Sequence, residues 1–231
     1  YITGMTNGTI EGEASNGGRD GYLTKFNSSG TIQWTQMIGG SGTEAIYGAV
    51  STDSSGTIYL VGITQGDIYD IEHSGGGWDG FISKYDSDGN RLWSKSIATT
   101  GADIPIDVLV ASDGYIYATG RTNGNLNGQT NNGNYDGFLV KYDSDGNLIS
   151  TALYGDSNWN DLGFMVEGSD GYIYITGGVK FFCESCGAIS TPSTTFDQSW
   201  AQPYAAMQNV GLKSIHNNRD LVLAKAGECN N

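Results

Sequence analysis

Basic residues are scarce in this sequence: 11 Lys and Arg stand against 25 Asp and Glu, giving a net charge of −14. Phosphate recognition rests on clustered Lys and Arg, so the balance argues against a nucleic-acid partner and against an anionic membrane surface. Cationic partners, divalent ions and neutral sugars stay open. No apolar run reaches 18 residues, so no inserted membrane helix is expected. Proline is also rare, with 3 Pro beside 36 Gly, and turns must come mainly from residues that tolerate positive φ. His73 and His216 are the 2 histidines, and neither stands near a Ser/Asp arrangement, which leaves triad chemistry little material. Aromatics are plentiful instead. The 14 Tyr, 7 Phe and 5 Trp, within a 38% hydrophobic content, supply enough apolar surface for a packed core and argue against disorder.

A repeat organises most of the chain. DGFISKYDSDGNRLW from Asp79 has counterparts in DGYLTKFNSSGTIQW from Asp20 and DGFLVKYDSDGNLIS from Asp136. A Tyr-x-x-Gly falls at Tyr1, Tyr59, Tyr117 and Tyr174, at spacings of 58, 58 and 57. Such a period predicts a tandem-repeat architecture. Each copy divides into four short β patterns. The first is apolar, at Tyr47 to Asp53, Asp107 to Asp113 and Leu162 to Asp170. A tight SSG or SDG turn leads to the second, TIYLVG, YIYATG or YIYITG, with the alternation of a half-buried strand. A connection rich in Gly and Asn precedes the third, DGYLTKF, DGFISKY or DGFLVKY, and an NSSG or DSDG turn precedes the fourth.

Four antiparallel strands repeated in tandem predict an all-β fold, a β-propeller of four-stranded blades in which each sheet covers its neighbour. A β-solenoid and a two-sheet sandwich are the competing architectures. The register supplies two complete blades and two partial ones, with a first strand lacking at the front and a fourth at the back. An incomplete ring is therefore expected, its missing strands supplied by the rest of a longer chain or by another subunit. Opening on Tyr1, inside a repeat, the sequence is expected to be part of something longer. Residues 1–178 form the repeats, 179–219 an insertion in a blade loop, and 220–231 a last strand and tail.

The segments NGTIEGEASNGGRDGYLTKFNSSG and NGNLNGQTNNGNYDGFLVKYDSDG carry a pattern of Gly-x-[Leu/Ile]-x-Gly, a Gly/Asn-rich bend and Asp-Gly-[Phe/Tyr]-x-x-Lys-[Phe/Tyr]-[Asp/Asn]-Ser-x-Gly. It resembles the bacterial SBBP-type β-propeller repeat, over about Tyr1 to Gly178 and again at Asp220 to Gly227. The resemblance implies a repeated scaffold in secreted or cell-surface bacterial proteins, with no shared catalytic residues to transfer. The chain departs from that pattern between Val179 and Arg219. Tyr174 is 46 residues from Asp220, where the earlier copies need 19 or 20.

Several positions invite a chemical reading. Asp20, Asp79, Asp136 and Asp220 precede Lys25, Lys84, Lys141 and Lys225 by the same five residues. Identical placement in each copy predicts ion pairs or backbone hydrogen bonds between sheets. Asp86-Ser-Asp88-Gly-Asn90 and Asp143-Ser-Asp145-Gly-Asn147 look like fragments of calcium loops. They lack the closing Glu and run straight into strands, so they read as hairpin turns, with weak calcium binding as the alternative and no other cofactor implied. Cys183-Glu-Ser-Cys186 allows a disulfide among Cys183, Cys186 and Cys229, a zinc site joining His216 to the three thiolates, or a redox pair. Trp34 and Trp93 occupy one repeat position and read as sheet-packing residues. Tyr69, Trp78 and Tyr135 lie in or beside the long connections and are the candidates for a ligand-binding surface.

These readings favour a non-catalytic, extracellular or cell-surface propeller acting as a scaffold or adhesive module, with a protein or glycan on a cell surface as partner. The alternatives are a carbohydrate-binding, lectin-like propeller centred on Trp78, and a propeller hydrolase or lyase whose site, at the 179–219 insertion, would use Glu184, Asp197 or His216.

Overall fold

The computed structural model describes residues 1–47, 49–178 and 222–226. They are all strand and turn, with no helix. In chain order the strands are β1 (Ile2–Thr6), β2 (Thr9–Ile10), β3 (Glu13–Ala14), β4 (Asp20–Phe26), β5 (Ile32–Ile38), β6 (Glu44–Ala45), β7 (Val50–Thr52), β8 (Ile58–Thr64), β9 (Asp79–Tyr85) and β10 (Arg91–Ile97). They continue with β11 (Asp103–Val110), β12 (Ile116–Thr122), β13 (Asp136–Tyr142), β14 (Leu148–Tyr154), β15 (Asp161–Glu167), β16 (Ile173–Gly178) and β17 (Val222–Ala226). Five antiparallel sheets result. β1-β4-β5 form the first, and β10-β9-β8-β6 the second, with β7 also paired to β8. β11-β12-β13-β14 and β15-β16-β17 follow, and β2-β3 make a separate hairpin.

Local chemistry explains the hairpins. Asn27 Oδ1 accepts from the backbone N–H groups of Ser29 (3.1 Å) and Thr31 (2.9 Å), and Gly30 at φ 80° lets the chain reverse. Asp86 Oδ1 takes the equivalent bonds from Asp88 (2.9 Å) and Asn90 (2.8 Å), and Asp143 does the same for Asp145 and Asn147. These hydrogen bonds hold both carboxylates below the ordinary carboxylate range, the bonds from Asn90 and Asn147 first among them. Oxygens so engaged serve the turn, which is why the strand can begin at once.

Packing runs between successive sheets. Leu23 and Ile38 of the first meet Ile58, Leu60, Phe81 and Tyr85 of the second, and Tyr59, Val61 and Ile82 meet Val108, Ala118, Phe138 and Val140 of the third. Leu162, Ile173 and Ile175 pack against Leu109, Tyr117 and Leu139. Because it is covered on both faces, β8 is buried along its whole length. The half-buried strand expected from the alternation of TIYLVG is therefore corrected: alternation marks its two faces, but both are dry. The Gly of Tyr-x-x-Gly has a packing role. A Cβ on Gly120 would collide with the Ile104 carbonyl oxygen, and one on Gly62 with Ile46 Cδ1.

The β-propeller is overturned. The sheets hold two to five strands each and no strand pairing joins one sheet to another. Among the described residues none is closed, and no ring of blades is present. The physical reason lies at the ends of the row. Apolar clusters join the first sheet to the second, the second to the third and the third to the fourth, and among the described residues none joins the fourth to the first. A period in the chain dictates where strands recur; closure requires the first and last sheets to meet, and here they do not. The expected set of two complete and two partial blades therefore does not describe the molecule.

Candidate functional site

A groove of about 320 Å³ opens beside β11. Three consecutive residues of β11, Ile104, Pro105 and Ile106, make an apolar floor, and Ile63, Trp78, Tyr47, Phe164 and Arg121 complete the lining. β11 makes this floor because its register with β12 shifts between Pro105 and Asp107. Pro105 has no N–H to give, and a bulge is where a strand tolerates that loss. Ile104 stands opposite Arg121 across the ladder, which sets the guanidinium against the apolar floor. Trp78 is anchored through its backbone, its carbonyl accepting from Asp103 N at 2.7 Å.

Tyr135 and Trp159 lie next to the groove, their ring centroids 4.2 Å apart and their backbones joined by a parallel bridge. The Arg121 guanidinium carbon sits 5.2 Å from the Trp159 ring centre and 5.8 Å from that of Tyr135. Its Nη1 is 3.8 Å from Asp161 Oδ2, beyond hydrogen-bond reach, and its buried Nε has no acceptor among the described residues. The guanidinium is thus held largely by aromatic faces, with its donors underused. Tyr47 and Trp159 are 55% and 52% exposed, so large apolar rings face solvent around a cation.

Two carboxyls on β11 feel the same dry surroundings. Burial raises the Asp103 carboxyl to about 6, opposed by bonds from Thr122 and Thr99. Burial likewise raises Asp107, which accepts from Met165 N at 2.6 Å and so ties β11 to β15.

Of the three candidates expected for a ligand surface, Trp78 lines the groove and Tyr135 contacts Arg121 at its side. Tyr69 lies elsewhere: its hydroxyl is 3.0 Å from that of Tyr85, and the Arg91 guanidinium covers its ring at 4.1 Å. Arg121, Tyr47, Phe164 and Trp159 were not singled out from the sequence. Arg121 carried a usable signal, since the residue after each Tyr-x-x-Gly is Met5, Ile63, Arg121 and Gly178, and only one of these is charged.

The repeated lysines bond backbone carbonyls of the next sheet. Lys25 Nζ donates to Ser87 O at 2.7 Å and Lys84 Nζ to Ser144 O at 2.8 Å, whereas Lys141 reaches Asp113 Oδ2 at 3.3 Å. Their counterparts Asp20, Asp79 and Asp136 are fully buried and accept from Asn16, Ser74 and Asn132 N–H groups. Trp34 and Trp93 lie over Gly89 and Gly146 and donate Nε1–H to Ser87 O and Ser144 O, each at 3.3 Å. Among the described residues no three His, Cys, Asp or Glu side chains are grouped as a metal site. Cys183, Cys186, Cys229, His216, Glu184, Asp197 and the whole 179–219 segment lie outside the described residues, as do Asp220 and Gly227.

No protein-family model matches the chain, and the SBBP resemblance is not supported. Without a ring, the scaffold or adhesive propeller, the carbohydrate-binding propeller and the propeller hydrolase or lyase all lose the frame that would host them. The chain is 27% identical over 155 residues to the regulatory protein FlaEY of Caulobacter vibrioides, a match covering 63% of this chain and 16% of that protein. It thus spans less than a fifth of that relative's length. A crystallised protein of unknown function from Bacteroides caccae is similar over 77% of this chain and 65% of its own, with a TM-score of 0.30 and 12% identity, a likeness too slight to carry an argument.

Proposed function

We propose that this chain is a non-catalytic binding module that takes a segment of another protein in the groove beside β11. One observation carries the reading: the exposed rings of Tyr47, Trp159 and Phe164 gather around Arg121 and an apolar floor. Solvent-facing aromatics around a shaped cleft, with few polar groups, are the common anatomy of a recognition surface. The 320 Å³ volume suits one or two bulky side chains rather than a folded domain.

Selection of random peptides displayed on phage against the folded chain tests this. The expected result is a set of binders that compete with one another and are lost on Phe164→Ser or Tyr47→Ser, with the thermal midpoint unchanged. Binders indifferent to both substitutions would place recognition elsewhere and refute the reading.

A further inference from the structure

We infer that the segment held in the groove presents a carboxylate beside a bulky apolar side chain. The inference rests on the reading of the groove as a binding site and concerns the chemistry of its occupant. Among the described residues Arg121 is the only cation lining the groove, and every other lining side chain is apolar or aromatic. In a chain of net charge −14, a cation set among apolar groups is a site where an anionic group finds local attraction against a repulsive overall charge. Among the described residues the guanidinium has no close acceptor: Asp161 stands 3.8 Å from Nη1, and Tyr135 and Trp159 offer only their faces. A planar fork of donors packed on rings is preorganised for a carboxylate, which it meets through two parallel bonds. The low polarity of Ile104, Pro105 and Phe164 would strengthen that contact and take up a neighbouring apolar side chain.

Pro105 also fixes the mode of binding. Without an N–H it interrupts the edge of β11, so side chains, and not a continuous added strand, carry the recognition.

A matched pair of probes tests the inference: N-acetylphenylalanine, with a free carboxylate, and N-acetylphenylalaninamide, its neutral counterpart. Each is titrated into the isotopically labelled chain while the resonances of Trp78, Arg121 and Phe164 are followed. The carboxylate should bind about tenfold more tightly than the amide, the scale of one charge-assisted hydrogen bond. Arg121→Gln should erase that difference, and Arg121→Lys should restore part of it, with thermal melts confirming that both variants fold. Equal binding of the two probes, lost on Phe164→Ser, would leave the groove as a binding site and overturn the carboxylate requirement. Binding of neither probe, or saturation of the groove by neutral oligosaccharides alone, would overturn it as well.

Discussion

Replacing Asp103 by Asn should shift the variant's stability relative to the parent upward as pH rises from about 4 through about 6. Asp103 opens β11, is fully buried, and accepts from Thr99 N at 2.6 Å and Thr99 Oγ1 at 2.9 Å. An amide oxygen can keep both bonds, while the amide N–H group takes the place of Oδ1, which is buried without a partner among the described residues, and sets a cost that does not vary with pH. Burial lifts the carboxyl from 3.8 to about 6, and the nearby Asp79 carboxylate adds to the rise. Since the folded chain binds the proton more tightly than the unfolded one, the stabilising contribution is whole below about pH 4 and disappears as pH climbs through about 6. The gap between 3.8 and about 6 converts to a ceiling of about 3 kcal/mol. Urea unfolding of both proteins across this range gives the comparison. Glu44, Asp107 and Asp136, also raised by burial, are present in both and drop out of the difference. A stability difference that stays constant with pH would show that Asp103 does not titrate in this window, and the account of its burial would fall.

Phe138→Ala empties a fully buried site between the second and third sheets and should cost about 3–5 kcal/mol in denaturant unfolding. Trp93→Ala should cost less, about 1–3 kcal/mol, because the ring is only partly buried, and a larger loss would mean it is more central than its exposure indicates. Gly120→Ala forces a methyl onto the Ile104 carbonyl and should lower the thermal midpoint, with a loss of about 1–3 kcal/mol; a neutral outcome would refute the close approach of β11 and β12. Lys84→Met removes an exposed bond to Ser144 O and should change stability by less than about 1 kcal/mol.

The strands and their turns were legible because their causes are local. Asn27, Asp86 and Asp143 accept bonds from residues two and four positions on, and a glycine follows at positive φ, so the reversal itself is set by adjacent residues. The pairing of β4 with β5, of β9 with β10 and of β13 with β14 follows from these short connections. The ring was the error. Likeness among copies says nothing about whether the first and last sheets come together, which is a matter of long-range geometry. The groove was half legible: Trp78 and Tyr135 were reached from their place beside strand starts, but Tyr69 was drawn away by Arg91, and Arg121 was passed over.

Alternation, turn chemistry and the recurrence of Tyr-x-x-Gly were enough by themselves to determine an all-β chain and the order in which most strands pair. Tertiary structure alone decided that β8 is buried on both faces, that the row of sheets stays open, and that Arg121 lies among rings contributed by β15, by the residues before β9 and by those flanking β13 and β15. The division has a physical cause. Backbone hydrogen bonds between neighbours in sequence are set by a few adjacent residues, whereas burial and charge environment depend on which distant surfaces meet and exclude water.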